Sequence, residues 1–344
     1  MIFVDAALRK QTPYTPIWLM RQAGRYLSEY KATRAKAGSF LDLCQNVALA
    51  TEVTLQPVEI LDVDAAILFS DILVVPLAMG LPLEFVAGEG PKFLDTTRDF
   101  QSINALKINA YKDLDYVYDS LFSIRAKLAK DKALIGFCGS PWTLATYMIE
   151  GEGSKTYHQS KKILYSDPAL LHTLLDKITQ ELKGYLKSQI KAGADAVQIF
   201  DSWGGALEMS AYMDFSWKYM LEIAKDIKSQ YPHIPVMLFP KGVGAYLEEI
   251  SFCSGAEFDV FGVDWGVSMQ RAKQILGDRY VLQGNLEPAR LYNANAMEDG
   301  VDEILRIMGN QAGHIFNLGH GMIPDLPREN AILLVKMIKE KTKR

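Results

Sequence analysis

A chain of 344 residues, 49% of them hydrophobic, has ample material for a buried core and amounts to about one large domain or two small ones. Lys and Arg number 37 against 41 Asp and Glu, a formal net charge of −4, so the chain lacks the basic bias of nucleic-acid or anionic-membrane binders. Any anionic ligand must be gathered by local cations against the mean field.

Three widely separated cysteines, Cys44, Cys138 and Cys253, argue against a disulfide framework and for a reducing compartment. No CxxC or HxxxH spacing suggests zinc. The start, Met1-Ile2-Phe3-Val4-Asp5, carries an early acid and does not read as a signal peptide, and no window reaches membrane-span length. The expected location is the cytoplasm.

In chain order, short apolar runs predict strands at Ile17–Met20, Ala65–Phe69, Ala133–Phe137, Ala196–Phe200, Pro235–Phe239, Val260–Val263, Tyr280–Gln283 and His314–Asn317. Amphipathic helical patterns lie between them. The clearest runs from about Asp167 to Lys191, with Ser166 as N-cap, Pro168 in the first turn, a stripe through Leu170, Leu171, Leu174, Leu175, Ile178, Leu182, Leu186 and Ile190, and Gly193 closing it. An exit phrase recurs before three strands: Asp62-Val63-Asp64, Ala192-Gly193-Ala194-Asp195 and Gly255-Ala256-Glu257-Phe258-Asp259. The basic end, Lys336 to Arg344, reads as a last helix with a solvated face.

Recurrent βα units and no linker predict one α/β domain over 1–344. A single (β/α)8 TIM barrel is favoured, with the active site at the C-terminal ends of the strands. The main rival is a doubly wound open sheet, and no strand is followed by the glycine-rich phosphate loops of its nucleotide-binding versions.

The predicted strand ends are polar: Arg21 and Arg25, Ser70-Asp71, Gly139-Ser140, Asp201-Ser202, Lys241, Asp264, Asn285, and Gly319-His320-Gly321. Two guanidinium forks four residues apart, in Met20-Arg21-Gln22-Ala23-Gly24-Arg25-Tyr26, suit a carboxylate or phosphate held between them. The plain alternative is a surface pair answering Glu29. Asp71 either meets a cation or an N–H, or caps a helix over Ile72-Leu73-Val74. Tyr147 is a carboxylate donor or a core ring. His320 sits between glycines that would let backbone approach a ligand. Asp62 and Asp64 precede their strand and belong at the opposite end, and the remaining acids lack clustered histidines, which argues against a metal site. Ser202 and His320 lack the GxSxG elbow of a hydrolase.

The chain resembles the uroporphyrinogen decarboxylase family over essentially its full length. The matching phrases are 16–27 (PIWLMRQAGRYL), 69–73 (FSDIL), 136–143 (GFCGSPWT), 200–205 (FDSWGG), 239–242 (FPKG), 282–288 (LQGNLEP) and 317–321 (NLGHG). Ser28 departs from a usual proline, which should change loop stiffness only slightly. The resemblance implies a (β/α)8 barrel, a homodimer with facing clefts, and removal of four acetate carboxyls from a cyclic tetrapyrrole with no metal or organic cofactor.

By matching position, the resemblance makes Asp71, Arg21 and Arg25 the catalytic residues. It also implies substrate contacts from Gln22, Ala23, Gly24, Arg34, Tyr147, Ser202 and His320. A substrate with eight carboxylates explains the clustered arginines. A pyrrole protonated at ring carbon is itself the electron sink, and an anionic Asp71 beneath the pyrrole N–H groups stabilises it. The proton donor stays open among Arg21, Arg25 and water, since arginine is a poor acid. Rival readings are a zinc-dependent corrinoid methyltransferase, disfavoured because no cysteine lies near His320, and a non-catalytic tetrapyrrole carrier.

Overall fold

The computed structural model describes residues 1–86 and 90–344. Its strands are β1 (Ala65–Ile67), β2 (Leu83–Val86), β3 (Gly90–Phe93), β4 (Ala133–Gly139), β5 (Ala196–Asp201), β6 (Val236–Pro240), β7 (Val260–Gly262), β8 (Val281–Gln283) and β9 (His314–Ile315). Seven of them form a curled parallel sheet in the order β1-β4-β5-β6-β7-β8-β9, and β2 pairs with β3 as an antiparallel hairpin. Helices such as Pro168–Lys191, Lys218–Gln230 and Ala294–Met308 make the crossovers that parallel neighbours require. They pack apolar faces onto strands such as β4, buried at every position. Among the described residues, no helix is long and apolar enough to cross a membrane.

The recurrent exit phrase has a structural meaning. Asp195 precedes β5 and accepts the Leu134 N–H at the start of β4, at 2.8 Å. Asp259 precedes β7 and accepts the Val236 N–H that opens β6, at 2.8 Å. Asp64 precedes β1 and accepts the Ile17 N–H at 2.9 Å. Each acid satisfies a backbone amide at or near the start of the neighbouring parallel segment. Each also meets a cation: Arg125 at 2.7 Å from Asp195, Lys228 at 2.9 Å from Asp259, and Lys339 at 3.5 Å from Asp64.

The predicted strand Ile17–Met20 does not form. Ile17 makes only an isolated parallel bridge to Phe316. Beyond it, side-chain amides take over the backbone: Gln22 Oε1 accepts from Leu19 N–H (3.1 Å) and Asn317 Oδ1 from Met20 N–H (3.0 Å). On one side of this segment, Ile17 C=O accepts from Asp64 N–H (2.8 Å); on the other, Pro16 C=O accepts from Phe316 N–H (2.8 Å).

Three smaller expectations also change. The N-cap of helix Pro168–Lys191 is Asp167, whose carboxylate accepts from Leu170 N–H (3.1 Å), while Ser166 bonds back to Lys162 in the preceding helix. Ser28 opens helix Ser28–Lys36, and its hydroxyl donates to Glu29 at 2.9 Å. The basic C-terminus does more than face solvent: Lys339 pairs with Asp62, Lys341 with Asp302 and Glu298, and Arg344 donates to Thr12 C=O.

Candidate active site

The loop after the Ile17 bridge is folded as a tight coil. Gln22 N–H donates to Leu19 C=O (2.9 Å), Leu27 N–H to Gly24 C=O (3.0 Å), and Tyr26 Oη to Gln22 C=O (2.7 Å). The buried Gln22 side chain bonds Leu19 N–H and, through Nε2, Ala65 C=O at 3.0 Å, fastening the coil to β1. Arg21 takes φ 61°, a left-handed conformation that costs a non-glycine residue roughly 1–2 kcal/mol. Such strain concentrates where a side chain must be aimed. The side chain lies against Gly321, where an added Cβ would collide with its methylenes.

Arg21 and Arg25 both open onto a cavity of about 500 Å³ that also receives Gln22, Ala23, Gly24, Asp71, Tyr147, Ser202, Lys241 and His320. Among the described residues, neither arginine has an ion-pair partner or side-chain hydrogen bond. Glu29, the acid nearest in sequence, is bound by Arg328 at 2.8 Å, so the surface-pair alternative falls.

Asp71 is half-buried on the β1 side of the cavity. Its Oδ1 accepts from Leu73 N–H at 2.8 Å, and a short helix begins at Val74. The carboxylate therefore closes a local turn and also faces the cavity. Burial raises its pKa above the ordinary carboxylate range, against the opposing pull of the Leu73 amide and the Arg21 charge. Tyr147 is raised above the ordinary phenol range, first by burial and then by the Asp71 charge. His320 is pushed down to about 3 by burial and by the charges of Arg21 and Lys241, so its ring is neutral at pH 7.

The walls between these polar groups are aromatic. Phe137 meets Phe200 edge-on at 5.7 Å, Phe200 meets Phe239 at 6.0 Å, and Phe239 lies 6.2 Å from His320. Tyr147 packs on Trp203 at 6.0 Å. Phe85 and Pro91 of the β2–β3 hairpin complete the lining. The hairpin and the aromatic wall escape a reading of polar strand ends. The aromatics that end the predicted strands, Phe69, Phe137, Phe200 and Phe239, were the available signal.

Several predicted positions do other work. Arg34 stands outside the cavity lining, and its Nη1 donates to Gly38 C=O at 2.9 Å. Asp201 is buried and saturated by the hydroxyls of Ser140 (2.7 Å), Thr143 (2.9 Å) and Ser216 (2.8 Å). Asp264 accepts from the Gly242 and Gly266 amides. The glycines beside His320 admit protein rather than ligand: Gly319 lies against the backbone of Trp265, and Gly321 against Arg21. Among the described residues, no three His, Cys, Asp or Glu side chains gather as a metal-binding group.

Fold and site together define a parallel α/β protein whose aromatic cavity, among the described residues, holds unpaired cations and a single half-buried carboxylate. Within that class the chain belongs to the family described as uroporphyrinogen decarboxylase (URO-D), which matches residues 2–341. It is 70% identical over 344 residues to a uroporphyrinogen decarboxylase of Helicobacter hepaticus, and 67% identical over 343 residues to that of Helicobacter acinonychis; both alignments cover 100% of each chain. Among solved structures, a methyltransferase from Methanosarcina mazei matches with TM-score 0.79 at 18% identity, covering 98% of this chain and 97% of that one. A B12-independent methionine synthase from Shewanella matches with TM-score 0.54 at 10% identity, covering 97% and 98%. These two likenesses speak for the fold alone.

Proposed function

We propose that this chain decarboxylates uroporphyrinogen, converting its four acetate arms to methyl groups with release of carbon dioxide and leaving coproporphyrinogen, in porphyrin biosynthesis. The observation that carries the reading is one carboxylate, Asp71, facing the same cavity as two guanidinium groups that no acid of the described protein claims. Net negative charge makes such unclaimed cations informative, because they are held ready for an anion.

The chemistry follows from the substrate. A proton adds to the α-carbon of the pyrrole, next to the ring carbon that bears the acetate, and the ring becomes a cation conjugated to the acetate-bearing carbon. The bond from the acetate methylene to its carboxyl carbon then breaks. Its electron pair flows into the ring and carbon dioxide departs. A proton on the methylene carbon gives the methyl group, and loss of the first proton restores the pyrrole. On this reading, Asp71 accepts the pyrrole N–H groups and stabilises the cation, in a setting with little competing water. Burial raises the energy of the ionised carboxylate, and the ring cation relieves it, so the interaction is strongest when charge develops. Arg21 and Arg25 bind carboxylates, and Arg21 or Arg25, or a water they orient, delivers the proton. His320, neutral at pH 7, serves with Tyr147 and Ser202 as a hydrogen-bonding partner rather than as an acid. The amides of Gln22, Ala23 and Gly24 line the same wall.

The reading extends to architecture. A closed eight-membered barrel in one domain is supported by the bonds that tie residues 16 and 17 to Asp64 beside β1 and to Phe316 beside β9. The family resemblance implies a homodimer, and free cysteines at 44, 138 and 253 suit the cytoplasm.

The test is anaerobic incubation of the pure protein with uroporphyrinogen, followed by oxidation and separation by carboxyl number. Porphyrins with seven, six, five and four carboxyls are expected in succession. Recovery of eight-carboxyl material alone overturns the proposal.

A further inference from the structure

Lys241 is the one cation of the cavity that the roles above leave unassigned. It follows β6, whose place in the hydrogen-bonded order is four steps from the Ile17 segment in either direction, through β1, β4 and β5 or through β9, β8 and β7. Lys241 therefore stands on the wall across from Arg21 and Arg25. Its main chain is clamped: Lys241 N–H donates to Asp201 C=O at 3.0 Å, and its C=O accepts from Gly205 N–H at 2.9 Å. Two glycines make that clamp possible, since a Cβ on Gly205 would stand 2.8 Å from Gly242 C=O.

The side chain is free where the backbone is fixed. Among the described residues, Lys241 Nζ has no hydrogen bond or ion pair, and the half-buried residue lines the same cavity as Phe200 and Phe239. A half-buried ammonium in a partly aromatic cavity, without a partner, is costly unless an anion arrives. Its charge and that of Arg21 both bear on His320.

We infer that Lys241 is a substrate-holding residue that grips the carboxylate of a retained, propionate-type arm on the wall opposite Arg21 and Arg25. The inference rests on the decarboxylase reading and adds to it the arm that is held. Four acetates are destroyed in turn, and each turnover presents a different pyrrole to Asp71. A grip that serves all four turnovers must hold a group that the reaction never removes. On the wall across from Arg21, the arms that persist throughout are the propionates.

Coproporphyrinogen, which carries propionates and no acetates, is the discriminating probe. Its Ki as a competitive inhibitor and the KM for uroporphyrinogen are measured anaerobically for wild type, Lys241→Met and Lys241→Arg. Loss of one charge-assisted contact predicts that Lys241→Met raises both constants by the same factor, roughly 10- to 100-fold, with kcat within about threefold of wild type. Lys241→Arg should restore most of the affinity. A KM that rises while the Ki for coproporphyrinogen stays unchanged assigns the grip to an acetate and overturns the inference, as does no change in either constant. If Lys241→Met does not fold, Lys241→Gln carries the same expectation. Wild type that leaves uroporphyrinogen intact overturns the decarboxylase reading itself, and this inference with it.

Discussion

The two ends of the parallel sheet use the same kinds of charged residue to opposite ends. At the N-terminal end, Asp64, Asp195 and Asp259 each hold a backbone amide and a cation, with Lys132 and Lys339 also reaching Asp62 at 2.7 Å. At the C-terminal end, Arg21, Arg25 and Lys241 face a cavity and, among the described residues, have no acid partners, while the carboxylate of the same cavity, Asp71, accepts from Leu73 N–H. Paired charges stabilise the chain; unpaired ones are available to a ligand. The division predicts that substitutions at one end lower activity and leave stability nearly intact, and that the reverse holds at the other.

The largest effect is expected at the cavity. Asp71→Asn keeps an oxygen for Leu73 N–H but removes the charge, and should lower kcat about 10²- to 10³-fold. Arg21→Lys keeps a charge but not the fork, and should fall by a similar factor. Both should melt within a few degrees of wild type. Turnover close to wild type in either variant breaks the catalytic half of the comparison, and a carrier reading would then stand in its place.

Next comes a residue that reaches the cavity only through Arg21. Gly321→Ala places a methyl against the Arg21 side chain and must push the guanidinium aside. A displacement of about 1 Å in a positioned group can cost up to about 100-fold in rate. The expected result is a 10- to 100-fold loss in kcat/KM with circular dichroism unchanged. Full activity would mean that the aim of Arg21 is loose and that its left-handed backbone has another cause.

At the opposite end the sign reverses. Asp195→Ala leaves the Leu134 amide and one arm of Arg125 without their partner, in a part-buried setting. A loss of about 2 kcal/mol in unfolding free energy is expected, read from the denaturant midpoint. Activity per folded molecule should stay within twofold of wild type. Equal losses of stability and rate would show that the two ends are not separable.

How much of this was legible in the sequence differs from residue to residue. The runs that became β4, β5 and β6 were found because fully buried parallel strands are continuous apolar stretches. The exit phrase before β5 and β7 was visible as a repeat, but its purpose was not, because a carboxylate that caps the neighbouring strand acts across about 60 residues for Asp195. Ile17–Met20 has the composition of a strand, and only the structure shows Gln22 and Asn317 supplying the bonds a ladder would have made. Arg34 looked like a third arginine of the site, yet it bonds within its own turn, at Gly38. Arg21, Arg25, Asp71, Ser202 and His320 line one cavity because strand-end loops of such a sheet converge whatever the loop lengths, whereas Tyr147 reaches it from helix Pro141–Glu150 and was named by the family resemblance. The aromatic wall was missed because a phenylalanine at a strand end reads as core.

The smallest effect sharpens the comparison most, because it concerns stability at the cavity end. Burial raises the pKa of Asp71 in the folded protein. A carboxyl with a raised folded pKa binds its proton more tightly folded than unfolded, so ionising it destabilises the fold. That penalty is fully present above the folded pKa and vanishes below the ordinary carboxylate range, where both states are protonated. Asp71→Asn should therefore be slightly more stable than wild type at pH 7, seen as a small rise in Tm. The gain should shrink as pH falls through the carboxylate range. A variant less stable than wild type at neutral pH, or a difference that grows on acidification, would mean that the charge on Asp71 supports the fold. The site would then hold its carboxylate in the same manner as the opposite end of the sheet.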